Sequence, residues 1–269
     1  MKVKVFNDTS NYHSGCREVM RYLYHDLSDC GHDIVNTLEE ADLVVVNGEG
    51  TMHHNERAAQ DLLSVLLLAH RSGKKTALIN SVWQRMSITK SIKDMLNASY
   101  VSVREVLSQN ELKKVGVKSN IHLDVSYFVD VPEIEVTYKD ELVVGSLFFR
   151  ENWRPNDIPS IDIFKDEWDV IVNTLRCSKH FFTGRHHELY AACKARCPFT
   201  VIDGNTHKNF GLIETAKNDG VDINIILGTK DLSEVDYSKT ISANRKRKGE
   251  YEKLFDWMQK QPKFSFKNI

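Results

Sequence analysis

The sequence lacks long hydrophobic runs, a surplus of charge of either sign and a paired cysteine motif. Its apolar stretches fall short of the ~18 residues that indicate a transmembrane helix, and residues 1–6 lack the apolar core of a signal peptide. The net charge of -1 gives no argument for binding to nucleic acid. We therefore expect a cytoplasmic globular protein without a membrane span.

Cysteine and metal-binding patterns are equally sparse. The five cysteines are odd in number and include no Cys-x-x-Cys pair. Cys193 and Cys197 share one face of a predicted helix, a spacing that does not suit a disulfide, so we expect five reduced thiols. The eleven histidines include no His-Glu-x-x-His or comparable zinc pattern. No metal is therefore expected.

The order of apolar and amphipathic segments predicts an α/β protein. Apolar runs such as 43–46 alternate with amphipathic segments such as 56–70, which is typical of parallel sheets flanked by helices. The acidic stretch 131–141 contains a proline, interrupts this alternation and is the predicted linker. We predict two Rossmann-like domains, 1–130 and 142–269, that face each other across a cleft, the second with a closing helix.

The strongest functional signal lies in residues 181–188 and 198–208. One apolar run ends in Thr-Gly and passes into Arg-His-His at the start of a predicted helix, and a second run leads to Asn-x-His-Lys. The carboxyl ends of parallel strands are where α/β sheets bind ligands, and a helix amino terminus attracts anions. The predicted donor- and anion-binding residues are therefore Gly184, Arg185, His187, Asn205 and Lys208.

The loop at 47–55 follows the most apolar predicted strand. Gly48 and Gly50 permit a close approach of the backbone or a positive φ, so the loop can cradle an anion, with Thr51 as a loop contact or helix cap. The spacing is not Gly-x-Gly-x-x-Gly, and a tight turn without a ligand is the usual role of two such glycines. Glu49 between them is predicted to bind a sugar hydroxyl or to act as a general base.

Other polar residues at predicted strand ends each have a structural alternative. Arg104 either contacts an anion or forms a salt bridge with Glu105. Trp83 either stacks on a sugar or is a partly buried structural residue. Asn11 and His13, in the first βα turn, are predicted acceptor contacts, with helix capping as the alternative role of this turn.

Three segments, in this order, resemble the polysaccharide pyruvyl transferase family. They are Ala-Asp-Leu-Val-Val-Val-Asn-Gly-Glu-Gly at 41–50, Val-Ser-Val-Arg-Glu at 101–105 with Ser108 and Gly116 beyond, and Thr-Gly-Arg-His-His at 183–187 with Pro198 and Lys208 beyond. The segments span nearly the whole chain. The resemblance implies a two-domain fold of glycosyltransferase type B. It also implies the transfer of a pyruvyl group from phosphoenolpyruvate to a sugar or glycan, without a metal or cofactor.

Carried over to this sequence, the resemblance assigns Arg185 and His187 to the donor site and makes Arg104 a second anion-binding arginine. His187 would protonate the enol carbon of phosphoenolpyruvate or assist proton transfer. The first βα turn differs from the family's Gly-Asn-x-Gly-Asp, so a nucleotide-sugar donor is the alternative. Its acceptor would be a glycan or, through the basic run 245–248, the hydroxylated bases of DNA. A non-catalytic carbohydrate- or nucleotide-binding module is the third hypothesis.

Overall fold

The computed structural model describes residues 1–136, 142–145, 159–202, 204–225 and 242–269. The chain divides into two compact units. Unit 1 comprises Met1–Thr9, Met20–Val125 and Pro262–Ile269, and unit 2 comprises Ser10–Val19 and Ser126–Gln261. From the sequence we predicted two domains that each occupy one continuous stretch of the chain, with boundaries at 130 and 142. In the structure each unit consists of separate stretches instead.

Unit 1 is built on a six-stranded parallel sheet. Its strands are β1 Lys2–Phe6, β2 Asp33–Ile34, β3 Leu43–Glu49, β4 Lys75–Ser81, β5 Tyr100–Val103 and β6 Asn120–Ile121. They follow the order β2-β1-β3-β4-β5-β6, and every neighbouring pair is parallel. The predicted α/β class with parallel strands is confirmed. The strand order changes direction between β1 and β3, the switch point at which open α/β sheets bind ligands.

Helices pack against this sheet through stripes of buried side chains. They are α1 Ser14–Asp29, of which the part from Met20 onward belongs to this unit, α2 Arg57–Arg71, α3 Lys90–Ala98 and α4 Val106–Lys114. In α2 the buried residues Ala59, Leu63, Leu66 and Ala69 recur at helical spacing. All seven residues of β3 are buried, as its continuous apolar run predicts for a central parallel strand. A cluster of buried apolar side chains therefore lies between β3, β4 and helices α2 and α3.

Unit 2 contains a three-stranded parallel sheet in the order β7-β8-β9. The strands are β7 Leu142–Val144, β8 His180–Thr183 and β9 Phe199–Val201, and the helices are α5 Trp168–Arg176, α6 His186–Ala195, α7 Lys208–Asn218 and α8 Lys248–Gln259. Helix α7 was not predicted because its sequence shows no regular apolar stripe. The predicted closing helix at 243–259 is interrupted: residues 242–245 are helical, a turn follows at 246–247, and α8 begins at Lys248.

Some sequence predictions lie outside the described residues. They are the last five positions of the predicted linker 131–141 and three parts of the predicted second domain: the end of a strand expected at 142–147, most of a loop expected at 153–161, and Asp203, the last residue of a strand expected at 199–203. None of the described helices is both long and apolar enough to cross a membrane.

Candidate functional site

The carboxyl edge of the sheet in unit 2 carries two helix amino termini side by side. Strands β8 and β9 pair in parallel, and α6 and α7 are the helices that follow them. Asn209 joins the two connections, because its Nδ2 donates to the Gly184 carbonyl at 3.0 Å and to the Ile202 carbonyl at 3.3 Å. Helix amino termini carry positive partial charge, so adjacent ones suit an anionic ligand.

Arg185 is the N-cap residue of α6 and has an extended backbone. Its backbone N–H donates to Thr183 Oγ1 at 2.9 Å, which fixes the turn between β8 and α6. Its guanidinium lies over the ring of Phe164, 4.6 Å from the centroid. A stacked guanidinium carries its N–H donors around its edge, where carboxylates and phosphates bind in a bidentate manner. The geometry therefore suits the predicted anion contact.

His187 lies in the first turn of α6 and is 7% exposed. Its ring meets that of His13, with centroids 5.1 Å apart and an interplanar angle of 72°. Gly15 makes this contact possible, since a Cβ at that position would lie 2.6 Å from His187 Cβ. The structure thus brings the predicted acceptor contact His13 to the predicted catalytic His187. The neighbouring His186 packs on Tyr190, with ring centroids 4.7 Å apart.

The remaining predicted anion contacts lie at the same edge of unit 2. Asn205 is exposed in the connection that leads from β9 to α7. Lys208 begins α7, and its Nζ donates to Asn205 Oδ1 at 3.0 Å. A Cβ on Gly204 would meet the Gly184 carbonyl oxygen at 3.3 Å. The connections after β8 and β9 therefore come close together around Gly184.

A buried carboxylate lies next to this edge, at the start of α6. Glu188 in the first turn of α6 is fully buried and accepts a 2.5 Å hydrogen bond from Thr183 Oγ1. A carboxylate is stabilised at a helix amino terminus by the helix dipole. Sequence reasoning did not single out Glu188, although an acidic residue three positions after an N-cap residue is a recognisable signal.

Strained backbone marks the carboxyl edge of the sheet in unit 1. Asn7 follows β1, Glu49 ends β3 and Asn80 lies near the end of β4, and their φ angles are 63°, 39° and 49°. A positive φ is uncommon for residues other than glycine, and such residues cluster at functional sites. The three strands are neighbours in the sheet and include the switch point between β1 and β3.

Side-chain amides connect these three strand ends. Asn47 Nδ2 lies 3.1 Å from Glu49 Oε1, and Thr9 Oγ1 donates to the same oxygen at 2.6 Å. Asn7 Nδ2 donates to the Asn47 carbonyl at 2.6 Å, and Asn80 Nδ2 donates to Asn47 Oδ1 at 3.4 Å. Asn80 Oδ1 is buried and has no partner among the described residues. Of these five residues, Glu49 is the one that was predicted as a site residue from the sequence.

The glycine loop after β3 packs more tightly than an open ligand cradle. A Cβ on Gly48 would lie 2.4 Å from Ser81 Oγ, so this position needs glycine for its approach to β4. Gly50 lies in the following turn, and the Thr51 N–H donates to the Gly48 carbonyl at 2.9 Å. Thr51 does not cap α2, whose N-cap residue is Glu56.

Arg104, at the end of β5, forms a buried ion pair. Its Nη1 donates to Asp124 Oδ2 at 2.5 Å, and the two side chains are 1% and 0% exposed. The salt bridge considered from the sequence therefore exists, but with Asp124 instead of Glu105. Glu105 caps α4 by accepting from the N–H groups of Leu107 and Ser108. Contact between Arg104 and an anion stays a prediction.

The last two predicted contacts are Trp83 and Asn11. Trp83 is 1% exposed and belongs to the core of unit 1, and its backbone N–H donates to Ser108 Oγ at 2.8 Å. This burial agrees with the structural alternative for Trp83. Asn11 is exposed in the turn before α1.

No protein-family model matches the sequence, and no curated protein matches it. Solved structures do match. A protein assigned as a UDP-N-acetylglucosamine 2-epimerase from Listeria monocytogenes aligns with a TM-score of 0.58 and 12% identity, over 95% of this chain and 90% of that chain. An uncharacterised protein from Klebsiella pneumoniae aligns with a TM-score of 0.57 and 14% identity, over 79% of this chain and 86% of that chain.

These similarities establish the fold. The Listeria protein has a glycosyltransferase type B-like fold, so the predicted α/β fold of this type is confirmed. Identities of 12% and 14% carry no information about individual site residues.

Proposed function

We propose that this chain is a carbohydrate-modifying transferase that moves a pyruvyl group from phosphoenolpyruvate to a sugar or glycan. The observation that supports this most is the edge of unit 2, where Arg185 and His187 lie at the start of α6 beside the start of α7. The fold shared with a sugar epimerase supports a carbohydrate-related role. The resemblance of the sequence segments supplies the pyruvyl donor.

In the proposed reaction, Arg185 and the amino terminus of α6 bind the phosphate or carboxylate of the donor. His187 gives a proton to the methylene carbon, which becomes a methyl group and leaves C2 electron-poor. One sugar hydroxyl adds to C2, and a second displaces the phosphate to close a ketal. One hydroxyl proton replaces the proton given by His187, and the other leaves with phosphate, so the atoms balance. Glu49 lies in unit 1 and is predicted to bind or deprotonate a sugar hydroxyl.

A nucleotide-sugar donor is the second candidate. The similar protein from Listeria supports this candidate, because it is assigned as an enzyme that acts on a uridine diphosphate sugar. A diphosphate would use the same Arg185 and helix amino termini. The acceptor would then be a glycan or the hydroxylated bases of DNA.

A ligand screen by thermal shift separates these candidates. The purified protein is heated with phosphoenolpyruvate, with UDP-N-acetylglucosamine and other nucleotide sugars, and with inorganic phosphate as the control for a generic anion. A ligand at 100 times its Kd stabilises the folded state by about 2.7 kcal/mol, which raises Tm measurably. We expect phosphoenolpyruvate to raise Tm more than phosphate does. A shift with nucleotide sugars alone would replace the pyruvyl donor by the second candidate.

Product formation tests catalysis itself. Release of inorganic phosphate from phosphoenolpyruvate is followed with a panel of oligosaccharides, using wild type, His187→Asn and His25→Asn. His25 is a suitable control because it is an exposed histidine on α1. Loss of a general acid lowers the rate by roughly 10²–10⁴-fold, so we expect that loss in His187→Asn only. A protein that binds sugars without any turnover would be the non-catalytic module.

A further inference from the structure

We propose that His13, Cys16 and His187 form a binding site for a thiophilic divalent cation of the zinc class. One ligand atom from each side chain lies within 4.8 Å of the other two, and all three residues are buried. All three belong to unit 2, because the segment Ser10–Val19 is part of that unit. The inference goes beyond the proposed function, which requires no metal.

The distances fit a tetrahedral centre. Bond lengths of about 2.0 Å for nitrogen and 2.3 Å for sulfur place the ligand atoms of a tetrahedral zinc site about 3.5 Å apart. His13 Nε2 and Cys16 Sγ are 3.4 Å apart and already meet this requirement. A nitrogen of His187 lies within 4.8 Å of its partner atoms, so a shift of up to about 1.3 Å brings it to this separation. Three protein ligands leave the fourth position for water or another small ligand.

Local structure explains why the three side chains converge. His13 precedes α1 and Cys16 lies in its first turn, so their spacing of three residues places both at one end of the helix. A thiolate there is favoured by the helix dipole. Gly15 lets α6 approach, since any Cβ at that position would overlap His187. One imidazole therefore reaches the His13–Cys16 pair from a second helix.

The ligand set is selective by its chemistry. Imidazole and thiolate suit zinc and its neighbours, whereas magnesium and calcium require oxygen ligands. No carboxylate belongs to the cluster. We therefore expect binding of Zn²⁺ and Co²⁺ and no competition from Mg²⁺.

Metal binding has two further consequences, one for a hydrogen bond and one for the proposed reaction. His13 Nδ1 now accepts the backbone N–H of Cys16 at 3.2 Å, an N-cap interaction. A ring that ligates through Nε2 carries its proton on Nδ1, so this bond must break and the Cys16 amide must change its environment. Bound metal also occupies His187, which then cannot donate a proton. Zinc should therefore inhibit the proposed transferase.

Cobalt titration of the tag-free, reduced protein tests the site without any substrate. Tetrahedral Co²⁺ bound to a thiolate gives a ligand-to-metal charge-transfer band and visible d–d bands. We expect both with one equivalent of Co²⁺, unchanged in the presence of excess Mg²⁺. Cys16→Ser should lose the charge-transfer band, and His187→Asn should weaken Co²⁺ binding at least tenfold. Cys177→Ser, which removes another thiol of unit 2, should match wild type.

Two outcomes would overturn the site. One is wild-type protein that binds no stoichiometric Co²⁺ or Zn²⁺, and the other is a charge-transfer band that persists in Cys16→Ser. Circular dichroism of each variant confirms folding, and His13→Asn provides a second ligand variant if His187→Asn does not fold. An amide NMR shift of Cys16 on Zn²⁺ addition reports the broken cap directly. Because no donor or acceptor is present, failure of the proposed transferase reaction leaves these results unaffected.

Discussion

At the scale of single residues, Gly15 of unit 2 is tightly constrained by its neighbours. A Cβ there would lie 2.6 Å from His187 Cβ and 3.2 Å from Ile163 Cδ1, and both neighbours are buried. Gly15→Ala should therefore lower the free energy of unfolding by about 1–3 kcal/mol, the usual cost of overpacking. Urea denaturation measures this change.

Gly249→Ala is the matched control for that substitution. Gly249 is exposed in α8, and an added Cβ meets nothing within 4 Å. The variant should keep the wild-type stability or gain up to about 1 kcal/mol, since alanine favours helix more than glycine does. Equal stabilities for Gly15→Ala and wild type would show that α1 and α6 are not in close contact.

His180 is a second residue with a measurable effect, through pH. Burial, followed by the positive charge of Arg245, lowers the pKa of His180 to about 3. The unfolded chain has an ordinary histidine pKa of about 6.5, so between these values the unfolded state binds more protons. Acidification below pH 6.5 should therefore destabilise the fold, by up to about 1.4 kcal/mol per pH unit from this group.

Stability curves from pH 7 to pH 4.5 test this expectation. His180 Nε2 lies 2.9 Å from Thr200 Oγ1, and His180→Gln, which keeps a polar group there, should have a flatter acid limb than wild type. His25→Gln should follow wild type, because His25 is exposed on α1. Identical slopes for wild type and His180→Gln would contradict the lowered pKa of His180.

At the scale of secondary-structure elements, the ends of β5 and β6 are joined by the buried pair Arg104–Asp124. Removal of one partner leaves the other charge buried without compensation, which costs about 3–5 kcal/mol. Arg104→Met should lower stability by that amount. The double variant with Asp124→Leu should recover most of the loss, because a buried pair can be replaced by apolar side chains at little cost.

The exposed pair Lys90–Asp94 on α3 is the control for this cycle. Its side chains are largely exposed, and such pairs contribute roughly 0.5 kcal/mol or less. Lys90→Met should therefore be nearly neutral in the same urea experiment. Additive losses in the Arg104/Asp124 double variant would show that the two charges do not interact.

Elements with strong local signals could be predicted from the sequence, and the others could not. Strand β3 begins with the continuous apolar run 43–46 and helix α2 has a regular buried stripe, so their positions followed from the pattern of apolar residues. Strands β2 and β6 have two residues each, too few for any pattern. Their pairing depends on the strands next to them rather than on their own sequence.

At the scale of the whole molecule, long-range contacts determine what belongs to each unit. The Ser14 N–H donates to the Ile163 carbonyl at 3.1 Å, which ties the start of α1 to unit 2. The Phe266 N–H donates to Asp26 Oδ2 at 2.6 Å, which ties the end of the chain to unit 1. Local sequence patterns carry no information about contacts between residues that are so far apart in the chain. The predicted domains were therefore continuous stretches of the chain. The assignment of Ser10–Val19 to unit 2 and of Pro262–Ile269 to unit 1 was not predicted.

The candidate site shows the same limit. Arg185, Asn205 and Lys208 were placed at strand ends by the apolar runs before them, and the structure has them there. The contact of His13 with His187 joins residues far apart in sequence. Phe164 under Arg185 comes from a segment without any periodic signal. The residues at the strand ends could therefore be predicted from the sequence. The residues that contact them are determined by tertiary packing and could not be predicted.

The most direct measurement for the central claim is calorimetric titration with phosphoenolpyruvate of wild type, Arg185→Ala and the control Arg57→Ala. Arg57 is exposed at the start of α2. Loss of charge-assisted hydrogen bonds of about 1.5–3 kcal/mol corresponds to roughly 10- to 150-fold weaker binding. We expect that loss for Arg185→Ala and wild-type affinity for Arg57→Ala. Equal affinity of all three proteins, or no binding by wild type, would contradict it.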